Sequence, residues 1–295
     1  VARTSDLKRR RDARTAVLFL APMLALIVVL RIIPGFEAIV KSMQFGLPGS
    51  VAPPQFVGLR MFEELFTSAS FWYSVQQTLV FNVIINPLQI FLALLVAVLL
   101  TRGLPLTGLW RTLIFLPAAI PLSGSAIVWG FALRPDGPVN GILEAIGLPA
   151  QPFLLSPDQA LYSIMLIASW IGIGYWMIFL IAGLNDIPDV YYEAAKMDGA
   201  GAIRTFFSIT LPQLKRPLLL VLVADTVANF VLFAPIAILT GGGPQKSTSL
   251  LMYDVYNRTY VLTDPYLASA QLVVLLVIMI AITIVQFRLL RTKED

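Results

Sequence analysis

The chain has 295 residues, 58% hydrophobic and only 13% charged, with a formal net charge of +4 and a mean hydropathy of +0.81. A water-soluble domain carries roughly 25% charged residues, so the composition argues against a soluble fold. Cysteine and histidine are both absent, which removes disulfide frameworks, thiol nucleophiles, Cys/His zinc sites and imidazole acid-base chemistry together.

The apolar residues gather into runs of about 20 or more, the length that crosses a hydrocarbon core roughly 30 Å thick. The runs do not alternate and exceed the roughly ten residues of a barrel strand, so helices are the expected spanning element. Six spans are expected, at residues 15–33, 74–100, 109–132, 161–183, 217–239 and 267–287. The first follows a basic segment, residues 1–14. Arg9, Arg10 and Arg11 ahead of an apolar run also fit a signal peptide or a twin-arginine address. The run is long for a signal, however, and Arg31, Ile32, Ile33 and Pro34 do not make a cleavage site, so a retained span is expected. The second span, the longest, is expected to tilt or protrude. Pro22, Pro87, Pro117, Pro121 and Pro235 lie in or beside spans. Each removes a backbone hydrogen bond and is expected to mark a kink covered by neighbouring helices.

Basic residues set the orientation. The ends and even-numbered loops carry fifteen Lys and Arg: Arg3, Lys8, Arg9, Arg10, Arg11, Arg14, Arg102, Arg111, Lys196, Arg204, Lys215, Arg216, Arg288, Arg291 and Lys293. The odd loops carry five, Lys41, Arg60, Arg134, Lys246 and Arg258, with Arg31 near the outer end of span one. Both termini are therefore expected in the cytoplasm, and the positive balance is a topology signal rather than a mark of nucleic-acid binding.

Three spans carry polar or aromatic candidates. In span two, Asn82, Asn86 and Gln89 stand at i, i+4 and i+7 on one stripe, either facing a solute or gluing helices at around 0.6 kcal/mol each. In span four, Trp170 and Trp176 either stack on a sugar ring or pack in the interior. In span five, Asp225 is the one acidic residue deep inside any expected span, with Asn229 and Phe233 at i+4 and i+8 on its face. An intramembrane carboxylate costs several kcal/mol unless it meets partners or water, which makes Asp225 a pathway candidate; the alternative is a structural hydrogen bond to a neighbouring helix. The turn Gly241–Ser247 has a Lys-Ser pair after glycines but fails as a phosphate loop, because Gln245 and Thr240 stand where that loop needs glycine. With no nucleotide site evident, any energy source lies in another subunit.

Between spans four and five the segment Ile187–Pro217 reads IPDVYYEAAKMDGAGAIRTFFSITLPQLKRP, too long and too apolar for a mere connector. Pro188 and Asp189 suit the first turn of a helix running through Tyr191–Lys196, which Gly199 and Gly201 then break. A second short helix is expected over Ala202–Thr210, with Ile203, Phe206 and Phe207 on one apolar face. Glu193, Ala194, Ala195, Gly199, Ile209, Leu211 and Pro212 fit the pattern EAA-x3-G-x9-I-x-LP without a mismatch. In this the chain resembles the permease subunits of bacterial ABC importers.

Further stretches resemble the carbohydrate-uptake branch of that family, of which the sugar and glycerol-3-phosphate permeases are examples. They are Trp129 through Pro135, Asp136, Gly137 and Asn140; Ala182-Gly183-Leu184 ahead of Ile187-Pro188; and Thr240, Gly241, Gly242, Gly243 and Pro244. The resemblance implies an all-α integral membrane permease domain over residues 15–295 with its EAA coupling helices in the cytoplasm, in the bacterial inner membrane. It implies a sugar, polyol or glycerol-phosphate-type solute. It also implies a second homologous permease subunit, two ATPase subunits that hold ATP and Mg, and an extracytoplasmic solute-binding protein; this chain itself carries no cofactor and no catalytic residue. Glu193 would contact the ATPase, with Ala194 and Ala195 permitting close approach, Gly199 making the turn, and Asp198, Ile209, Leu211 and Pro212 completing the coupling set. Asn82, Asn86, Gln89, Trp176, Asp225, Asn229 and Phe233 are the pathway candidates. The binding protein is expected on loops 34–70, 134–160 and 240–266, with Asp136, Asn140, Gly242, Gly243 and Pro244 as contacts. A rival reading, an ion-coupled secondary transporter using Asp225, leaves the EAA spacing unexplained and lacks an internal repeat. A membrane-embedded enzyme lacks any cluster of His, Cys or acids in the spans.

Overall fold

The computed structural model describes residues 2–47 and 52–290. The chain divides into two compact units, one formed by residues up to Thr67 with Arg258–Val274, the other by Ser68–Asn257 with the stretch from Leu275 onward.

In the first unit, α1 (Ala2–Ile27) passes through a π-type turn (Val28–Ile32) directly into α2 (Ile33–Lys41). The apolar stretch thus runs over Thr15–Lys41 instead of ending near residue 33, because the wider turn just before Pro34 absorbs the donor that the proline lacks. Arg31 consequently sits inside the span, within that turn. Residues 34–41 belong to this helix rather than to a loop. A short antiparallel pairing follows between β1 (Gln44–Phe45) and β2 (Gln55–Phe56), with Gln44 opposite Phe56, and then α3 (Arg60–Thr67), whose Met61 and Leu65 are buried.

The second unit is built on α4 (Ala69–Thr101), capped by the Ser68 side chain, which accepts the Phe71 N–H. Pro87 lies inside α4 without interrupting it. Next come α5 (Thr107–Phe115) with a 3-10 turn, α6 (Leu122–Ala132), α7 (Pro138–Ala145) and the 29-residue α8 (Pro157–Asn185). The expected third span is a broken pair: Thr107–Ala119 and Leu122–Ala132 meet at 97°. Pro117 and Pro121 bracket the break and remove two donors from the ladder there. After α8 come α9 (Asp189–Met197), α10 (Ala202–Thr205), a π-type turn (Phe206–Thr210), α11 (Leu211–Gln213) and α12 (Lys215–Phe230). The chain continues through α13 (Ala234–Leu239), α14 (Leu251–Tyr260) and α15 (Pro265–Leu290), which continues across both units.

Among the described residues five helices are long and apolar enough to cross a membrane, or six if the bent pair counts as one. Inside the second unit α4, α8 and α12 pack against one another. One apolar cluster joins Ala93, Ala97, Met177, Leu180, Leu214 and Val221, and another joins Phe81, Ile85, Ile164, Met165, Leu232 and Ile236. Ala93 and Ala97 are fully buried, small residues that let two helix backbones approach without a hydrophobic drive from lipid.

Candidate functional site

The motif loop hangs from a rigid base. Gly183 on α8 faces Pro217 at the start of α12, where a Cβ would lie 2.6 Å from the proline ring, so only glycine lets these helices close on each other. Between them, Leu214 is fully buried beside Leu184 and Ile187. From this base α9 runs to Met197 and ends in a Schellman turn: Ala200 N–H donates to Ala195 C=O at 2.9 Å and Gly199 N–H to Lys196 C=O at 3.1 Å. Gly199 takes φ +69°, the left-handed conformation such a cap demands. The second helix reaches Thr210 as expected, as an α stretch over Ala202–Thr205 that widens into a π-type turn over Phe206–Thr210. Pro212 has no N–H to continue the α ladder, and Leu211 N–H bonds back to Phe206 C=O across the wider π-type turn. The Tyr192 and Thr210 hydroxyls, 3.2 Å apart, tie the two halves together.

This packing gives α9 two faces. Ala195 is buried, while Glu193 and Ala194 are exposed, and so are Val190 and Met197, at 62% and 88%. Ile203 and Phe207 on the second half of the loop are exposed too, at 77% and 62%. Glu193 has no side-chain hydrogen bond or ion pair among the described residues. The loop thus carries an exposed carboxylate and four large exposed apolar side chains, more apolar exposure than a solvated turn ordinarily shows. Asp198 is exposed beside Gly199, Ile209 and Leu211 are half-buried, and Pro212 is exposed.

The intramembrane candidates converge on one knot between α4, α8 and α12. Trp176 Nε1 donates to Asp225 Oδ1 at 2.6 Å, and Asn229 Nδ2 lies 3.2 Å from the same oxygen. Asn229 also donates to Asn86 Oδ1 at 2.7 Å and to Gln89 Oε1 at 3.1 Å. Asn86 Nδ2 reaches Thr226 Oγ1 at 3.1 Å and Asn82 Oδ1 at 3.4 Å. Gln286 of α15 donates to Thr226 Oγ1 at 2.7 Å. All of Asn82, Asn86, Gln89, Trp176, Asp225, Thr226 and Asn229 are at most 8% exposed. Asp225 Oδ2 is buried without a hydrogen-bond partner among the described residues. Phe233 leaves the face on which its spacing puts it, because α12 ends at Phe230. It lies instead 4.5 Å from the Tyr256 ring and stacks on Tyr253. Trp170 packs edge-on against Trp129.

Residues 89–293 match the family described as binding-protein-dependent transport system inner membrane component. The chain belongs to this family. It is 35% identical over 282 residues to the UgpA permease protein of the sn-glycerol-3-phosphate transport system of Agrobacterium fabrum, covering 94% of each. It is 32% identical to SmoG, the sulfoquinovosyl glycerol transport permease of the same organism, covering 96% of this chain and 92% of that one. Its fold matches a chain in a crystal structure of a bacterial alginate ABC transporter in complex with an alginate pentasaccharide-bound periplasmic protein. The TM-score there is 0.79 at 21% identity, over 97% of this chain and 96% of that one. The chain is therefore the inner-membrane permease component of a binding-protein-dependent ABC importer, and the ion-coupled carrier reading is set aside.

The permease uses several expected surface contacts internally. Asn140 is 1% exposed; it donates to Arg134 C=O at 3.1 Å and Gln151 C=O at 2.9 Å and accepts Gln151 N–H at 2.7 Å. It staples the loop between α6 and α8 shut, and of the two expected contacts there Asp136 is the exposed one. Gly242 is buried against Tyr253, whose ring a Cβ would meet at 2.6 Å, while Gly243 and Pro244 are half-buried. Lys246 Nζ pins that turn to Ser70 Oγ at 2.9 Å. Thr226, Gln286, Tyr253 and Tyr256 escape sequence reasoning: a threonine or glutamine in an apolar run carries no signal until its partner helix is known.

Proposed function

We propose that this permease forms half of a two-fold pathway for a sugar, polyol or glycerol-phosphate-type solute, with both termini and residues 187–217 in the cytoplasm. The names of its relatives support the solute class, and the excess of Lys and Arg at the ends and even-numbered loops supports the orientation. A second homologous permease completes the pathway, two ATPase subunits bind the motif loops, and an extracytoplasmic binding protein delivers solute to the outer loops, with Asp136 and the Gly243-Pro244 turn as contacts. The periplasmic protein in the alginate transporter structure supports the last assignment.

The observation that carries the reading is the exposed stripe of Val190, Glu193, Ala194 and Met197 on a helix whose opposite side is locked to the membrane spans. Closure of the ATPase pair pushes this stripe, and because Leu214 and Gly183 fix the loop to α8 and α12, the push moves those spans. The Asn82, Asn86, Gln89, Trp176, Asp225 and Asn229 knot lies between them. In this reading solute hydroxyls replace the amide–amide bonds as the spans part, with Asp225 Oδ2 the acceptor still open. The full burial of the knot favours a second reading, a purely structural clamp.

Replacing Glu193 with Lys puts a like charge where the ATPase is expected to offer a basic group, and at about 2–5 kcal/mol for a disrupted interfacial charge pair it should abolish co-purification of the ATPase. The permease itself should still insert at normal levels. Full association and transport by Glu193→Lys would falsify the coupling role. Asp225→Asn separates the two readings of the knot: altered solute stimulation of ATP hydrolysis supports the pathway, and unchanged stimulation across a solute titration supports the clamp.

A further inference from the structure

Between the base of the motif loop and the ends of two spans lies a cleft of about 790 Å³ that the coupling role does not use. Its walls are the last turns of α4 and α8, from Val98 to Arg102 and around Leu184 and Asn185, and the inner stripe of α9, Asp189, Tyr192 and Lys196. Phe206 and Thr210 close the far side. The stripe follows helical spacing, i, i+3 and i+7, and it is not the one that carries Glu193 and Met197.

The charges of the cleft are of both signs and unspent. Arg102, Lys196 and Asp189 make no side-chain hydrogen bond or ion pair among the described residues. Asp189 and Lys196 stand two turns apart on α9, about 10 Å along the axis, and so do not neutralise each other. Two spans, α4 and α8, also end here, and each presents the carbonyl-rich, negative end of its helix dipole. The cleft therefore offers two cationic donors, Arg102 and Lys196, together with the Asp189 carboxylate and helix-end carbonyls. Its hydroxyls add little donor capacity, since Thr101 and Thr205 spend theirs on backbone carbonyls. An anion alone would leave the carboxylate and carbonyls uncompensated, and a cation alone would leave Arg102 and Lys196 so.

Position narrows the ligand further. Because α4 and α8 both qualify as membrane spans, the cleft opens where hydrocarbon gives way to headgroups, and Val98 and Phe206 extend an apolar wall from it. We propose that this cleft binds a phosphoethanolamine group, its phosphate held by Arg102 and Lys196 and its primary ammonium by Asp189 and the helix-end carbonyls. The group comes from a bilayer phospholipid or from a soluble glycerophosphoethanolamine. The inference rests on the membrane-permease reading but not on the coupling role of Glu193.

The test uses the purified importer complex with its partner subunits, equilibrated in vesicles of equal phosphatidylethanolamine, phosphatidylcholine and phosphatidylglycerol, extracted gently and weighed by native mass spectrometry. The complex is expected to retain phosphatidylethanolamine over both others, since phosphatidylcholine has no N–H to donate and phosphatidylglycerol no cation. Asp189→Asn should reduce that preference roughly fivefold, the effect of about 1 kcal/mol per charge near the membrane surface, whereas Arg102→Gln, which meets the phosphate common to all three lipids, should lower retention of each of them by a similar factor and Arg102→Lys should keep it. Displacement of the lipid by glycerophosphoethanolamine would support the same chemistry from the soluble source. Equal retention of the three lipids, preference for phosphatidylglycerol, a preference untouched by Asp189→Asn, or a total retention untouched by Arg102→Gln would overturn the site. A coupling failure is told apart by Glu193→Lys, which should release the ATPase and leave the retained lipid unchanged.

Discussion

The motif loop and the intramembrane knot are opposite solutions to the same problem. Both concentrate polar groups next to apolar ones, but the loop leaves Glu193 without a described partner among exposed Val190, Met197 and Phe207, whereas the knot turns Asn86, Trp176, Asp225 and Asn229 on one another. Water can solvate an unfinished surface at little cost, so the loop can wait for a partner subunit. Lipid cannot, so polar groups inside the spans must be satisfied within the fold. On the proposed coupling role, substitutions in the loop should cost assembly, and those in the knot should cost the permease itself.

Asn229→Ala puts the largest strain on that distinction. It removes the donor to both Asn86 Oδ1 and Gln89 Oε1 and one donor to Asp225, and at about 0.6 kcal/mol per intramembrane bond, with up to about 1.7 for the best, it should cost about 2–3 kcal/mol. The check is a thermal melt of the detergent-solubilised permease; an unshifted melt with lost ATPase binding would break the comparison. Trp176→Phe keeps the ring packing but strips Asp225 Oδ1 of its shortest bond, and should lower stability by about 1–2 kcal/mol in the same melt. Met197→Ser sharpens the other side. It should leave the melt unchanged and weaken ATPase binding in a pull-down titration by roughly tenfold, the worth of about 1.5 kcal/mol of buried apolar surface. The smallest effect is expected from Asn140→Ala, about 1 kcal/mol, since its three bonds join an outer loop within reach of water. Limited proteolysis should detect it as faster cleavage between residues 134 and 152.

Much of this architecture is legible in the chain because membrane helices announce themselves locally. The long helices over Ala69–Thr101, Pro157–Asn185 and Pro265–Leu290 contain the apolar runs expected for spans two, four and six and extend them by a few residues at each end. The EAA helix follows from Pro188, Asp189 and Gly199, each acting within one turn. Proline effects were less readable. Pro22 and Pro87 ride inside unbroken helices, while Pro117 and Pro121 mark a 97° bend, because whether a missing donor breaks a helix depends on what else receives the freed carbonyl. Spacing placed Asp225 and Asn229 on one face, and the stripe Asn82, Asn86, Gln89 on another. That these two stripes face each other, 140 and more positions apart, rests on how α4, α8 and α12 pack.

Composition and periodicity alone determined that this is a helical membrane protein, and the motif spacing identified its family, since both depend on interactions within a few turns of one helix. Only the tertiary structure decided what each polar residue does: that Asn140 and Gly242 serve packing rather than contact, that Phe233 leaves its helical face, and that Glu193 stands outside while Lys196, three residues on, lines a cleft. The physical reason is that a side chain's role is set by the groups that meet it from other elements, and no local pattern records which elements those will be.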